Sequence, residues 1–368
     1  MTRYKQQGIM IMELMIGLLI GLLTTLAITT VLSVSEGQRR ATMAGEDAQV
    51  SGALALHALQ RDIRHAGYGF AANPAALGCP IKGQTVSGVA PPAVLAPVTI
   101  TQNATAGLPD TIRIFSSSKR GVSVPLFVVN NHPLAQLSFD VRSSFSVEAY
   151  TDPDPAKSKY DWLVAVPEVW APTTNECTFF KATAVNTTAN TPHTVINHAD
   201  LSAYSPAAGY PAKSFLVNLG PTVSFRTYSI SANNVLQVTD FPSATANDVF
   251  PEIVNLRAFY GKDTDGNGVI DTYDATTPTT AAGWRQILGV RIALVARSTQ
   301  YEKETVTSAG NVEWDVGTAI AIAGTANCTS GSGGQCLQIK VNHLTDWQHY
   351  RYKVFDTLIP LRNVLWNS

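Results

Sequence analysis

The sequence predicts an α+β fold in which one long N-terminal α-helix packs on a β-rich globular domain. Two observations predict this class. An uncharged apolar run at residues 14–34 continues into a proline-free segment at residues 36–65. From residue 67 onward the chain instead shows short apolar runs between turn-forming residues, which are typical of β-strands. We therefore expect a helix first and strands afterwards.

The apolar run is long enough to cross a bilayer, because at about 1.5 Å per residue it spans about 32 Å. Arg3 and Lys5 precede it, so we expect the N-terminus on the cytoplasmic side. The run is long for a secretory signal, and only poor small-residue cleavage sites follow it. We therefore expect this segment to be retained as a membrane anchor.

The helical pattern continues beyond the membrane. Apolar residues at helical spacing form one stripe, namely Leu54, Leu56, Leu59 and Ile63. Gly67 and then Pro74 end the pattern. A helix from about Ile9 to Ala66 would be about 87 Å long. Residues 9–34 would lie in the membrane, and residues 35–66 would lie against the soluble domain.

Residues 67–368 are predicted to form one β-rich domain with inserted loops and no internal repeat. Short β-type runs occupy residues 111–115, 122–129 and 137–141. A hairpin is predicted where SANN joins residues 223–230 to 235–240. A division into two domains near residue 210, at YSPAAGYPAK, is a weaker alternative.

Two further runs alternate in the manner of half-buried strands. In residues 253–260 the alternation places four side chains on one face, namely Val254, Leu256, Ala258 and Tyr260. In residues 290–297 it does the same for Val290, Ile292 and Leu294. We expect each of these sets to face the core.

Composition and motifs argue against several classes of function. The net charge of −1 gives no general electrostatic basis for nucleic-acid binding. The chain contains no GxSxG, P-loop or HExxH motif, and its scattered Ser, His and Asp residues define no catalytic triad. We expect a protein that is not an enzyme.

The four cysteines all follow the apolar run, and none forms a CxxC pair. In an oxidising compartment an even number favours two disulfides, with three possible connectivities. We favour Cys328–Cys336, which flank the flexible stretch TSGSGGQ, and Cys79–Cys177. Four unpaired buried thiols are the alternative.

The stretch DTDGNGVIDTYD at residues 263–274 fits the template of a calcium-binding loop. Ca²⁺ takes six to eight oxygen ligands, and alternate residues of a tightly turning loop can supply them. Gly268 would permit the sharp bend. Side chains would supply most of the oxygens, Val269 would offer its carbonyl, and the ligand set would be Asp263, Asp265, Asn267, Val269, Asp271 and Asp274.

The closing position of this loop carries Asp274 in place of the usual bidentate Glu. Because Asp is shorter, we expect weaker affinity or a single closing oxygen. The flanking segments resemble strands rather than paired helices, so we expect a structural calcium ion rather than a sensor. The alternative is an Asp/Asn/Gly turn that binds no metal.

Glu13 is the one charged residue in GIMIMELMIGLLIG, residues 8–21. A carboxylate in a membrane helix costs about 2.5–3.5 kcal/mol on insertion scales and therefore needs a partner. An alternative is that Glu13 lies at the membrane interface, where its side chain would extend to the lipid headgroups. Gly17 and Gly21 form a GxxxG pattern, which permits close helix contact.

The same stretch resembles the N-terminus of a type IV prepilin, in which a short basic leader ends in Gly and Glu is the fifth mature residue. The resemblance implies that a prepilin peptidase cleaves between Gly8 and Ile9 and methylates the new amine. The family usually has Phe where this chain has Ile9. Cleavage would place a positive amine one helical turn from Glu13. The resemblance implies that this pair helps set register when neighbouring helices assemble.

Motifs further along the chain resemble the PilW family of large minor pilins. They are RDIRHAGYGF (61–70), YGKDTDGNGVIDTYD (260–274) with Trp284, VRIALVARS (290–298) and VFDTLIPLRN (354–363). The resemblance implies an inner-membrane precursor that joins other minor pilins and the major pilin through its N-terminal helix. It implies a role in priming type IV pilus assembly, with its globular domain in the periplasm and later at the pilus tip.

Three alternatives remain open from the sequence. One is a large minor pseudopilin of a type II secretion system, which would share the N-terminus and the priming role. A second is a membrane-anchored β-domain that binds or hydrolyses glycans, which would show no cleavage at Gly8. A third is a tip adhesin with an exposed aromatic or apolar patch.

Overall fold

The computed structural model describes residues 11–119, 124–154, 157–170, 177–190, 193–320, 322–329, 331 and 333–365. A single helix, α1 (Ile11–His65), begins the described chain and is followed by a β-rich domain. This arrangement confirms the predicted α+β class. At about 1.5 Å per residue α1 is about 83 Å long.

Helix α1 has two halves with opposite surroundings. Residues Ile11–Gly37 are apolar enough to cross a membrane, and none of this window is buried by the rest of the chain. The second half is docked on the β-domain through a buried stripe of Ala48, Ala55, Leu59 and Ile63. The helix ends at His65, one residue before the predicted end, and Gly67 then adopts a positive φ of 76°.

Strands follow in a long succession. Those in the first part of the domain are β1 (Cys79–Gly83), β2 (Val94–Leu95), β3 (Val98–Thr101), β4 (Thr111–Ser117), β5 (Leu126–Phe127), β6 (Ser138–Val141), β7 (Ala149–Tyr150), β8 (Lys159–Tyr160), β9 (Trp162–Val166), β10 (Cys177–Asn190) and β11 (His193–His198). Those in the second part are β12 (Phe215–Gly220), β13 (Val223–Ile230), β14 (Val235–Asp240), β15 (Ala246–Pro251), β16 (Ile253–Lys262), β17 (Thr272–Asp274), β18 (Ile287–Arg297), β19 (Asn311–Gly317), β20 (Ala326–Asn327), β21 (Gln335–Lys340) and β22 (Tyr352–Pro360). Two short helices, α2 (Ala281–Arg285) and α3 (Arg362–Leu365), and a 3-10 turn at Trp347–His349 complete the elements.

The domain has three larger sheets, and the docked half of α1 packs mainly against the five-stranded and the four-stranded sheet. An eight-stranded sheet runs β2-β1-β10-β9-β12-β5, with β11 and β6 continuing from β10. A five-stranded antiparallel sheet runs β15-β14-β13-β4-β3, and a four-stranded one runs β17-β16-β18-β22. Strand β12 lies beside β9 in the first sheet, so the chain does not divide into separate sheets near residue 210.

Most predicted strands are present, and the SANN hairpin joins β13 and β14 as expected. Predicted strand 122–129 is shorter, because the structure has only the two residues of β5 within the described part of that range.

The alternation predicted for β16 is wrong at Val254. Leu256, Ala258 and Tyr260 face the main core with α1, but Val254 faces a separate core on the other side of the sheet, toward the small β19-β21-β20 sheet. A register shift between Ile253 and Asn255 explains the difference, because a bulge changes which face the following residues occupy. Val290, Ile292 and Leu294 of β18 do share the main core.

Three hydrophobic cores result. The main core lies between α1 and the sheets and contains Leu59, Ile63 and Trp284. A second core fills the eight-stranded sheet around Phe139 and Phe180. The third lies between the four-stranded sheet and the small β19-β21-β20 sheet.

Candidate functional site

The exposed half of α1 carries the residues that the sequence assigns to assembly. Glu13 lies in its first described turn, and its side chain is exposed. The predicted cleavage pair, Gly8 and Ile9, lies outside the described residues. On the same face as Glu13 a shallow groove follows the helix, lined by Leu14, Gly17, Leu18, Gly21, Leu22 and Thr25.

This groove exists because Gly17 and Gly21 have no side chains. A Cβ added at either glycine would meet no atom within 4 Å, so another helix can approach here to backbone distance. The threonines nearby hold their hydroxyls inside the helix: those of Thr24 and Thr25 donate to the carbonyl of Gly21 at 2.9 and 2.7 Å. Over residues 11–34 the only charged side chain is therefore Glu13, and such a nearly apolar surface suits a membrane.

The docked half of α1 lies close to β22. Gly52 touches the ring of Phe355, and a Cβ at residue 52 would lie only 2.3 Å from Cε2 of that ring. The helix therefore needs glycine here despite its poor helix propensity. At the preceding position, the hydroxyl of Ser51 donates to the carbonyl of Pro251 at 2.7 Å.

A buried carboxylate fixes the end of α1 to the five-stranded sheet. Asp62 is 8% exposed, and its Oδ2 accepts hydrogen bonds from the Tyr228 hydroxyl at 2.6 Å and from Nη1 of Arg226 at 2.7 Å. Nε of Arg226 also donates to Asp240 at 2.8 Å. Arg61 approaches Oδ1 of Asp62 at 3.3 Å. These contacts join the helix to β13 and β14.

The pKa values within this network reflect its geometry. Burial alone would raise the pKa of Asp62, but the hydrogen bonds from Tyr228 and Arg226 outweigh it, and the net pKa lies below the usual range. Burial, followed by the hydrogen bond to Asp62 and then by the Asp62 charge, raises the pKa of Tyr228. Asp62 is therefore ionised in the folded protein near neutral pH, and the helix is fixed by an ion pair rather than by a neutral hydrogen bond.

The acidic loop between β16 and β17 is organised around Asp263. Its Oδ1 accepts from the amides of Gly266 at 2.7 Å and Asn267 at 3.2 Å, and its Oδ2 accepts from the amide of Gly268 at 2.7 Å. Burial raises the pKa of Asp263, but the Gly268 and Gly266 amides outweigh it and the net pKa is lowered. Gly268 has a positive φ of 83°, as the predicted bend requires.

Three of the predicted calcium ligands converge. Carboxylate oxygens of Asp263, Asp265 and Asp271 all lie within 4.8 Å of one another. Ca²⁺–oxygen distances are about 2.3–2.6 Å, so oxygens on opposite sides of one ion are about 5 Å apart. The spacing and the hard oxygen donors of these three side chains therefore fit Ca²⁺.

The other predicted ligands have different partners. The Asn267 side chain bonds within the loop, since its Nδ2 donates to Asp265 at 2.9 Å and its Oδ1 accepts from the Val269 amide at 2.8 Å. Asp274 lies outside the cluster, because Nζ of Lys262 contacts its Oδ2 at 2.5 Å and the Thr276 amide donates to its Oδ1. Any closing ligation by Asp274 requires that Lys262 releases it.

Two disulfides complete the frame, and they join the pairs that the sequence favoured. Cys79 bonds to Cys177 across a sequence separation of 98 and links the parallel neighbours β1 and β10. Cys328 bonds to Cys336 across a separation of 8. All four sulfurs are in these bonds, which fits an oxidising compartment.

One comparison with protein families gives a match. Residues 226–363 match the PilW family, described as type IV pilus-assembly protein W. Over this region the chain is similar to the PilW family. Neither the curated proteins nor the solved structures contain a match to it.

The match agrees with the family predicted from the motifs and supports involvement in type IV pilus assembly. PilW is a pilus-assembly family rather than an enzyme family. The matched region begins at Arg226, the residue that holds Asp62 of the helix, and includes the acidic loop and β22. The apolar helix fits a single-pass membrane anchor, and the family fits a location in the cell envelope.

The polar residues of the interior are not predicted by the sequence pattern. Asp62 lies in the motif RDIRHAGYGF (61–70), but nothing in its spacing indicates that its carboxylate faces the core. His132 and His198 are likewise not predicted, although both are buried with their Nε2 atoms 3.0 Å apart. Pairs such as these come from strands that are distant in sequence, so a linear pattern gives no signal for them.

Proposed function

We propose that this chain is a minor pilin that enters the type IV pilus through its N-terminal helix and takes part in a tip-located priming complex. The observation that carries the proposal is the helix itself. Its residues 11–34 are apolar and exposed, with Glu13 as their single carboxylate, and the helix continues without a break into a half that is docked on the domain. A surface of this kind requires a partner in the membrane.

The proposed partner is the N-terminal helix of another pilin. In lipid, Glu13 costs about 2.5–3.5 kcal/mol unless a cation compensates it. Cleavage after Gly8 would create such a cation at Ile9, in this chain and in each neighbour that is processed in the same way. The groove at Gly17 and Gly21 allows a neighbouring helix to approach. In this proposal the prepilin peptidase acts first, and the domain lies in the periplasm before export.

The test begins with processing. Filaments sheared from cells are digested, and mass spectrometry looks for an N-methylated peptide that begins at Ile9. Finding that peptide supports a pilin in the filament. If only uncleaved chain in the membrane is found, the proposal is wrong. Recovery of the processed chain in a secretion apparatus, with none in pili, would instead favour a type II secretion pseudopilin.

The assembly step is tested with Glu13→Val. We expect normal cleavage. The amount of this variant in sheared pili should be at least about tenfold below that of the wild type, since about 1.4 kcal/mol of lost pairing gives that factor. Met12→Val is the matched control, because it changes an adjacent exposed side chain without changing charge. Equal amounts of both variants in pili would show that Glu13 does not select register.

We also propose that the acidic loop binds one structural Ca²⁺ through Asp263, Asp265 and Asp271. The convergence of these three carboxylates supports the proposal. The ion would supply positive charge at a point where three carboxylates repel one another, and so would rigidify the β16–β17 connection. Because the Lys262 ammonium already neutralises Asp274, we expect weak binding, with a Kd of about 10⁻⁴–10⁻³ M.

Calorimetric titration of the full chain in detergent with Ca²⁺ tests this site. Asp263→Asn combined with Asp265→Asn should abolish the binding, whereas Asp248→Asn, an exposed carboxylate on β15, should not change it. Lys262→Gln should tighten binding, because it frees Asp274 to close the loop. Weaker or unchanged binding in Lys262→Gln would contradict the role given to Asp274.

A further inference from the structure

A lysine and two carboxylates meet where the five-stranded and eight-stranded sheets join. Nζ of Lys119, just after β4, lies 2.9 Å from Oδ2 of Asp161 and 3.6 Å from Oε2 of Glu148. The Asp161 side chain is fully buried, that of Lys119 is 10% exposed, and that of Glu148 is about half exposed. Asn218 of β12 contacts the same Asp161 oxygen through its Nδ2 at 2.9 Å.

The backbone holds these groups in place. The amide of Asp161 donates to the Glu148 carbonyl at 2.8 Å, and the Glu148 amide donates to Oδ2 of Asp161 at 2.9 Å. The amide of Ser118 donates to the Leu219 carbonyl at 2.9 Å, which sets Lys119 beside β12. Gly220 permits this approach, because a Cβ there would lie 2.7 Å from the Lys119 amide nitrogen.

The orientation of the Asn218 amide is fixed by its other partners. Its Oδ1 accepts from the Gly220 amide at 2.8 Å, and its Nδ2 also donates to the Ser146 carbonyl at 2.9 Å. Nδ2 is therefore the atom that faces Asp161.

The two oxygens of Asp161 differ sharply. Oδ2 accepts from Lys119, from the Glu148 amide and from Asn218. Oδ1 is buried, and no described residue donates a hydrogen bond to it. An unsatisfied carboxylate oxygen in the interior is costly, so an ordinary buried ion pair would leave this site poorly solvated.

We propose that Lys119 and Asp161 condense into an intramolecular isopeptide bond. Nζ of Lys119 attacks Cγ of Asp161 and forms the C–N bond. The bond from Cγ to Oδ1 breaks, and that oxygen leaves with two of the three ammonium protons as water. The positive and the negative charge disappear together, and no oxidant, reductant or other reactant is required.

Each neighbouring group has a place in this step. The Glu148 carboxylate accepts a proton from the Lys119 ammonium, which makes Nζ nucleophilic, and returns it to the departing Oδ1. The Glu148 amide and Nδ2 of Asn218 stabilise the negative charge that develops on Oδ2 in the tetrahedral intermediate. Oδ2 then remains as the amide carbonyl with both donors in place. Holding the two reactants in contact removes the entropic cost of bringing them together.

The bond would cross-link two parts of the domain. Lys119 follows β4, whose side chains belong to the main core, and Asp161 precedes β9, which borders the second core. It would tie the eight-stranded sheet covalently to the five-stranded sheet, whereas Cys79–Cys177 joins two strands within the eight-stranded sheet. The inference rests on this site alone and does not depend on the proposed pilin function.

Mass spectrometry of the wild-type full chain, digested with trypsin after disulfide reduction, tests for the isopeptide bond. Trypsin would normally cut after Lys119, but an amide at Nζ blocks that cut. We expect peptide Ile114–Arg120 joined to peptide Tyr160–Lys181, with a mass equal to their sum less one water. Recovery of Ile114–Lys119, cut after its lysine, and of Tyr160–Lys181 as separate peptides at their full masses would show an ion pair and overturn the proposal.

Variants test the chemistry further. Lys119→Arg keeps the positive charge but should give no linked peptide. Asp161→Asn should give a linked peptide of the same mass as the wild type, because the Asn side chain loses ammonia where Asp loses water. Glu148→Gln should slow formation of the linked peptide by about 10²-fold or more after synthesis. If Glu148→Gln links as fast as wild type, Glu148 is not the proton acceptor.

Discussion

Removal of the Asp62 carboxylate should loosen the attachment of helix α1 to the five-stranded sheet. In Asp62→Ala the hydroxyl of Tyr228, a residue that is 3% exposed, loses its acceptor inside the protein. Arg226 loses one partner but keeps Asp240 at 2.8 Å. The two losses differ in size, because the hydroxyl is buried and the Arg226 side chain is 40% exposed.

The magnitude follows from these two environments. A buried hydroxyl left without a partner costs about 1–3 kcal/mol. The loss at the partly exposed Arg226 is screened by water and adds about 0.5–1 kcal/mol. We therefore expect Asp62→Ala to lower the free energy of unfolding by about 1.5–4 kcal/mol. Asp62→Asn keeps an oxygen that can accept from Tyr228, so its effect should be smaller.

Urea unfolding of the full chain in detergent, followed by tryptophan fluorescence, measures these effects. Asp47→Ala removes an exposed carboxylate from the same helix and should change the free energy of unfolding by less than about 0.5 kcal/mol. Tyr228→Phe should partly restore the stability of Asp62→Ala, because it removes the stranded hydroxyl. If Asp62→Ala and Asp47→Ala are equally stable, the network does not hold the helix.

The stability that Asp62 provides also depends on pH. Its folded-state pKa lies below its value in the unfolded chain, so its contribution is complete above the unfolded pKa and is lost as pH falls through the folded pKa. The acid limb of the stability curve should therefore be shallower in Asp62→Asn than in the wild type. Parallel acid limbs for the two proteins would refute the assignment of Asp62 as an ionised anchor.

Two other predictions concern packing and protonation. Gly52→Val should lower the free energy of unfolding by about 1–3 kcal/mol, because the added side chain would overpack the contact with Phe355. Gly45→Ala should stabilise α1 slightly, because a Cβ at residue 45 meets no atom within 4 Å. Urea unfolding of the two variants measures both effects. Burial, aided by the neighbouring imidazole of His198, lowers the pKa of His132 to about 4. Stability from this residue is complete above its unfolded pKa of about 6.5 and is lost as pH falls toward 4, so thermal unfolding of His132→Phe should vary less over that range.

Much of the architecture could be predicted because it follows from local periodicity. The absence of proline to residue 65 and the apolar stripe gave the helix to within one residue of its end. The strands β13 and β14 match their predicted bounds, because each is bounded by turn residues. The disulfide partners followed from spacing and from the oxidising side of the membrane on which they were expected.

What could not be predicted depends on contacts between distant segments. The bulge in β16 reverses the direction of Val254, and bulges leave no regular trace in an apolar pattern. The calcium template predicted Asp274 as a ligand, but the template takes no account of Lys262, which contacts that carboxylate across the hairpin. Lys119 and Asp161 are 42 residues apart, and only the sheet arrangement brings them together.

The two halves of α1 have different structural constraints. The docked half is held by apolar burial, by the close contact at Gly52 and by the ion pair at Asp62, so its position relative to the domain is set before any partner binds. The free half, Ile11–Gly37, is not buried by the rest of the chain. Packing against the described domain therefore places no constraint on the side chains of this half. Substitutions at Glu13 should thus change recruitment without changing the stability of the domain, and substitutions at Asp62 should change stability first.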